Sequence, residues 1–257
     1  MDYLSKKNPH IFDKSIEFKE EGHVYTINGD SNFMSVTTWN HSHFPKFECD
    51  KIIGFMMKKV YKLGDEYYGM SAKEIKEKWR KAGESSSKLG TKIHFDIECY
   101  YNNKPQENDT DEYVYFLKFV EDHKELEAYR TEWMIWDKEL RLAGSIDMIF
   151  KNKDGTYSIY DWKRSKEILI RSKYGNFAET DCINHIPDSN YWHYSLQLHT
   201  YKFLLEKNYG IMVKDLYLIR LHPNNVTKSY QKIKTADLED EVRDLLSMRL
   251  KSLKDKT

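Results

Sequence analysis

Residues 131–163 read TEWMIWDKELRLAGSIDMIFKNKDGTYSIYDWK, and the spacing within them decides the fold. Apolar and polar side chains alternate with a period of two through TEWMIWD (131–137), RLAGSIDMIF (141–150) and TYSIYDW (156–162), which is the pattern of strands. Asp154-Gly155 supplies the tight turn between the last two. Three consecutive strands result, a meander.

On both sides of the meander the period lengthens toward that of a helix. Upstream, 111–127 fits a helix, and a serine-rich joint, Glu84-Ser85-Ser86-Ser87, leads into another that runs to about Tyr101. Lysine-rich segments 48–62 and 71–82 also carry helical spacing, and 16–27 reads as a short hairpin. Downstream, 171–190 is irregular, 191–207 is helical, 213–221 and 228–234 are short strands, and a charged helix starts near Asp237. Helices, then a meander, then a helix and more strand describe an α+β fold: a central mixed sheet flanked by helices, with an N-terminal helical attachment. The expected division is 1–83 for the hairpin and a helical cap region, and 84–257 for the core with its C-terminal helix. No repeat or low-complexity linker marks a sharper boundary.

The chain of 257 residues suits one sizeable domain with a smaller attachment. Its 41 lysines and arginines balance 41 aspartates and glutamates, so contact with a polyanion must come from a local basic surface. The N-terminus MDYLSKKNPHIF lacks the apolar core of a signal peptide, and no run reaches membrane-span length. A soluble protein inside a cell, without a membrane partner, is expected. Cys49, Cys99 and Cys182 are too scattered for a zinc or redox pair, and three cysteines cannot hold a four-cysteine iron–sulfur cluster. Gly83 to Lys92 has the letters of a phosphate loop out of order, so no ATP-driven motor is expected.

Chemistry concentrates on the second and third strands. Alternation puts Asp161 and Lys163 on one face and Trp162 on the other, and the adjacent strand can bring Asp147 to the first face. Two converging carboxylates suit a hard divalent cation, and a lysine beside them can orient or deprotonate a water. An ordinary strand-end ion pair would leave the same letters. On the upstream helix His94 and Glu98 share a face, one turn apart, and Gln197 and Tyr201 repeat that spacing downstream. A hydrogen-bonded surface histidine and a polar stripe beside the core are the plainer readings of those pairs. Glu132 on the first strand is either a further ligand or an edge residue facing solvent. After the third strand come Lys163, Arg164, Lys166, Arg171 and Lys173, followed by Tyr174, Phe177, Tyr191, Trp192 and Tyr194. Cations followed by aromatic faces suit single-stranded nucleic acid, and also suit a solvated loop whose aromatics return to the core.

In chain order these are G-x-x-x-H at 90–94, G-x-x-D at 144–147, D-W-K at 161–163 and Q-x-x-x-Y at 197–201. The set resembles the RecB-like branch of the PD-(D/E)XK nucleases over roughly 84–222, and within it the mitochondrial genome maintenance exonuclease type. The resemblance implies a restriction-endonuclease-like core. It implies that His94, Asp147 and Asp161 hold Mg²⁺ or Mn²⁺, often with a carboxylate such as Glu132 nearby, and that Lys163 serves the attacking water. Gln197 and Tyr201, with Glu98, would support the site or the nucleic acid.

The expected activity is a metal-dependent DNA exonuclease preferring single-stranded or end-containing DNA, in repair, recombination or replication. An endonuclease, cutting DNA or RNA, is the alternative enzyme. A binding module with a decayed site is the alternative outside enzymes.

Overall fold

The computed structural model describes residues 2–255. The chain opens with α1 (Tyr3–Lys7), a 3-10 turn at Ile11–Ser15, and the antiparallel pair β1 (Ile16–Lys19) and β2 (Val24–Ile27). Then come β3 (Met34–Ser35), α2 (Val36–His41), α3 (Cys49–Met56), α4 (Ala72–Tyr101) and α5 (Asp111–Asp122). The meander is β4 (Glu127–Asp137), β5 (Leu142–Lys151) and β6 (Tyr157–Lys163), followed by α6 (Asn190–Asn208), β7 (Val213–Arg220), β8 (Gln231–Lys234) and α7 (Glu239–Lys254).

β5 is the axis of the main sheet. β4 covers one of its edges antiparallel along the whole length, Glu127 opposite Lys151 to Asp137 opposite Leu142. The other edge is shared: β3 runs parallel beside Leu142 and Ala143, while β6 pairs antiparallel only with Met148–Lys151. Between these contacts, residues 144–147 have no ladder partner on that side. On its other edge β6 pairs parallel with β7 from Tyr157 to Lys163, and β8 closes the sheet antiparallel to β7.

Helices cover both faces. Ile93 and Ile97 of α4 and Tyr113, Phe116 and Phe119 of α5 pack on Phe150, Tyr160 and Trp162. On the opposite face Leu196, Leu204 and Leu205 of α6, Leu245 of α7 and Trp39 of α2 meet Ile135, Ile149 and Ile159. Each such side chain, removed from water, contributes on the order of 1.5–3 kcal/mol. The β1–β2 pair seals one end through Ile16, Tyr25 and Ile27 against Trp136 and Ala143.

The expected joint at 84–87 does not exist: α4 runs unbroken through it for 30 residues. Its single start is a capping box, in which Ser71 Oγ accepts from the Glu74 amide and the Glu74 carboxylate accepts from the Ser71 amide. Interior Ser and Gly cost roughly 0.5–1 kcal/mol each relative to Ala, which anchoring at both ends overcomes. The boundary expected after residue 83 therefore falls inside a helix. Segment 48–62 is helical only over α3, and Gly64 and Gly69 beyond it take φ of 99° and 71° in turns. The 111–127 helix stops at Asp122, because Glu127 already belongs to β4. Strand 228–234 shortens to β8. Among the described residues no helix is long and apolar enough to cross a membrane.

Candidate active site

The gap where β6 leaves β5 is also where the polar side chains meet. Continuing the register Met148–Tyr160 by one step sets Asp147 opposite Asp161, at the point where ladder bonding stops. The Trp162 amide and carbonyl would be orphaned on that edge, a costly state for buried backbone groups. Two site residues satisfy them: Trp162 N donates to Asp147 Oδ2 at 2.9 Å, and His94 Nε2 lies 2.8 Å from the Trp162 carbonyl oxygen.

That hydrogen bond fixes the imidazole with Nδ1 facing the carboxylates, 3.5 Å from Asp147 Oδ2 and 3.6 Å from Glu132 Oε1. A backbone carbonyl holding the far ring nitrogen is a common support for a metal-binding histidine. One donor atom each from His94, Glu132 and Asp147 lies within 4.8 Å of the others. Glu132 reaches this cluster from the middle of β4 with φ at 40°, a region an L-residue in a strand rarely adopts, and Ser145 Oγ donates to its Oε2 at 3.1 Å.

Asp161 stands beside this trio rather than in it. Its carboxylate is buried, with Oδ2 2.6 Å from Lys163 Nζ. Beyond this ion pair, that oxygen has no hydrogen-bond partner among the described residues. Lys163 Nζ also sits 4.6 Å from the centre of the Tyr194 ring.

Negative charge is in excess here: three carboxylates face one lysine and one histidine. The titration of the groups follows from that. Burial would lower the His94 imidazole, but Asp147 and Glu132 outweigh it and carry it up to about 9. Burial would also lower the Lys163 ammonium, and Asp161 and Asp147 instead hold it well above its usual value. Burial raises both Asp161 and Asp147; Lys163 opposes it at Asp161 and His94 opposes it at Asp147. Glu98, one turn beyond His94, is raised by burial and by Glu132. A divalent cation fits such a set: hard oxygen donors, one imidazole aimed inward, and the Asp161 carboxylate beside them.

α6 closes the site from the other layer. Gln197 Nε2 donates to the Tyr201 hydroxyl at 3.3 Å, and the buried Tyr201 ring lies against Gly144 so closely that a Cβ there would come within 2.7 Å of it. The glycine of G-x-x-D is thus room for the tyrosine of Q-x-x-x-Y. Tyr194 follows the same face at i, i+3 and i+7 with Gln197 and Tyr201, a spacing by which it could have been found. Ser145 and the buried Tyr25 of β2, whose hydroxyl is pushed up to about 12 by burial and by Glu132, carry no such signal.

The basic run after β6 is not brought together as expected. Arg164 turns to Glu112 of α5, Nε to Oε1 2.6 Å, and is largely buried, so it fastens helix to strand. Lys173 reaches Glu167 at 3.5 Å, the Lys166 carbonyl accepts from Arg220, and Trp192 Nε1 donates to the Ile170 carbonyl at 2.8 Å. Arg171 and Tyr174 remain exposed on the loop.

A family model described as the PD-(D/E)XK nuclease superfamily matches residues 56–257. The chain belongs to that superfamily. Its mixed sheet between helical layers is consistent with the restriction-endonuclease-like fold, and the superfamily makes it a hydrolytic nuclease with a nucleic-acid substrate. Such nucleases generally use divalent metals, and the His94–Glu132–Asp147 cluster is a place for one. No curated protein matches the chain. Among solved structures, the nuclease is similar to SSO0001, with 14% identity over 86% of this chain and 76% of that one and a TM-score of 0.33. It is also similar to a candidate exonuclease from Eubacterium rectale, with 10% identity over 87% and 79% and a TM-score of 0.39.

Proposed function

We propose that this nuclease is a Mg²⁺- or Mn²⁺-dependent DNA exonuclease of the RecB-like branch, similar to the mitochondrial genome maintenance type, and that it trims single-stranded or end-containing DNA in repair, recombination or replication. The observation that carries the reading is the convergence of His94, Glu132 and Asp147 within 4.8 Å, next to Asp161 and Lys163, at the gap between β5 and β6. His94, Glu132, Asp147 and Asp161 would hold the cation. Bound there, it would polarise the scissile phosphate and make a water acidic enough to attack at neutral pH.

The side chains divide the remaining work. Lys163, kept protonated by its carboxylate neighbours, donates to the attacking water or to a phosphate oxygen and fixes its position. To act as a base it would first have to lose its own proton, which needs those carboxylates offset by a bound cation; while protonated, its part is orientation. Tyr194 under its ammonium and Asp161 at 2.6 Å hold Nζ in place. Tyr201, Gln197 and Glu98 support the walls, and the loop bearing Lys166, Arg171, Lys173, Tyr174 and Trp192 offers contact for the strand that leaves. The helical cap is then α3 with the first half of α4.

Incubation with end-labelled single-stranded DNA, duplex DNA, RNA and closed circles, each with Mg²⁺, Mn²⁺ or EDTA, tests the reading. Linear single-stranded DNA should vanish with either ion and survive in EDTA, while circles persist. Circles cut as fast as linear strands would replace the exonuclease by an endonuclease, and RNA cut faster than DNA would replace the substrate.

A further inference from the structure

The arm formed by α3, the turns after it and the first half of α4 has no part in the chemistry above, yet its composition differs from that of the whole. Residues 46–86 hold ten lysines and arginines against seven aspartates and glutamates, a net of +3 in a chain that balances overall. Large apolar side chains stand exposed among these charges, Phe47, Phe55 and Leu63 included. Cations interleaved with exposed aromatic faces are what a single strand requires.

An open cavity of about 510 Å³ lies in this arm, lined by Phe47, Cys49, Lys76, Trp79, Arg80 and Ala82, a size that accepts a small organic ligand. The Phe47 and Trp79 ring centres are 6.2 Å apart with their planes inclined at 46°. Trp79 is set in position, because its Nε1 donates to the Tyr67 hydroxyl at 3.1 Å. The cations at the rim are placed as well: Lys76 by Asp50 at 2.6 Å, and Arg80 by Glu77 and Glu84.

α4 connects the cavity to the active site. At 100° per residue, Lys76, Arg80, Gly83, Ser87, Gly90 and His94 fall within about 40° of one line along the helix. Every α4 residue from Lys81 to Leu89 is exposed, and a Cβ built on Gly83 or Gly90 would meet nothing within 4 Å. The helix thus presents a low, open track. Fifteen residues separate Trp79 from His94, about 22 Å at the helical rise, or roughly six nucleotides at stacked spacing.

We propose that the cavity is a base-binding subsite for single-stranded nucleic acid, in which a nucleobase stacks on Phe47 and Trp79 about six nucleotides from the bond being cut, its flanking phosphates beside Lys76 and Arg80. The placement rests on the His94 site being the cutting site.

The test uses 5′-labelled oligothymidylates of 4, 8, 12 and 16 nucleotides, with anisotropy in EDTA reporting binding without cleavage. The full-length protein should bind the longer strands roughly 5- to 150-fold more tightly than the four-nucleotide strand, the range that one stacked base supplies. The double variant Phe47→Ala, Trp79→Ala should lose that gain and bind the shortest strand, which cannot span both places, as the parent does. Trp79→Phe should retain the gain, and melting curves show whether each variant is folded. A folded double variant that keeps the full gain with length overturns the subsite. So does sedimentation in which the double substitution splits a dimer while strand binding is unchanged, since the cavity is then an interface between copies. If the parent binds with the expected length dependence but cuts no strand with Mg²⁺ or Mn²⁺, the catalytic reading fails while the subsite stands.

Discussion

Between Ile93 and Cys99, α4 is pressed into the sheet, with Ile93, Ile97 and Cys99 buried and His94 bonded to the Trp162 carbonyl. Between Lys81 and Leu89 the same helix is exposed all round, and before that it carries Trp79 in a basic arm. Burial at one end gives polar groups fixed partners and strongly shifted titration, which is what reaction chemistry needs. Exposure at the other leaves cations at surface strength, useful for holding a polyanion and screened by salt. A single helix therefore joins a site where each bond matters to a surface where charges act additively.

The largest effects are expected where α4 meets the sheet. Asp147→Asn and Asp161→Asn should each lower turnover by roughly two to four orders of magnitude, with Mn²⁺ affinity falling in parallel and the fold retained. Lys163→Ala should cause a similar fall in turnover while calorimetry records nearly the parent's cation affinity. Parent-like Mn²⁺ binding in both Asn variants would remove them as ligands, and a Lys163→Ala enzyme cutting at the parent rate would remove the lysine from the mechanism.

Next in size is Glu132, which combines a donor atom with an unfavourable backbone. Glu132→Gly should weaken cation binding at least about tenfold. It should leave the cation-free melting temperature almost unchanged, since relief of roughly 1–3 kcal/mol of strain offsets the flexibility of glycine. Glu132→Ala retains the strain and should melt lower than Glu132→Gly. The opposite order would show that the strand tolerates φ at 40° without cost.

The buried cluster also sets a pH dependence that the arm does not share. His94 rises from 6.5 to about 9 on folding, so its contribution to stability is complete below pH 6.5 and is lost as pH climbs through 9. Asp161, raised from 3.8 to about 6, acts in the same direction in a lower window, complete below 3.8 and lost by about 6. The cation-free protein should therefore lose on the order of a few kcal/mol of stability between pH 6.5 and 9 and melt at progressively lower temperature, and His94→Ala should flatten that slope. Cation affinity should rise over the same window as the imidazole proton is displaced. A pH-independent melting temperature from 6.5 to 9 would refute the charge excess.

Smaller still is Gly144→Ala, whose methyl group would meet the Tyr201 ring. A loss of roughly 1–3 kcal/mol is expected. Tyr201→Ala should cost stability alone yet remove most of the penalty of Gly144→Ala when the two are combined. Additive losses in that double-mutant cycle would mean the residues are not in contact.

Much of this was legible in the chain. Strand alternation in 131–163 located β4, β5 and β6 within four residues at every end, and turn chemistry at Asp154-Gly155 placed the hairpin, because both signals are local. The ordered motifs put His94, Asp147 and the Asp161–Lys163 pair on three separate elements, and the fold brings them to one gap. Basic letters after Lys163 misled for Arg164, since a charge's partner is a matter of packing, and Glu112 lies 52 residues away. The continuity of α4 through Ser85–Ser87 was hidden for the same reason. Local propensity there is poor, and only the docking of both ends decides for helix.

Composition, period and order thus determined the α+β class and the meander, and singled out the residues proposed for phosphodiester chemistry. Tertiary structure alone decided that β3 and β6 share an edge of β5, which leaves residues 144–147 without a ladder partner on that edge and makes the gap. It alone brought Glu132 into the cluster and set Tyr201 against Gly144. These are contacts between distant segments, and a residue's distant neighbours are chosen by packing, which no local pattern encodes.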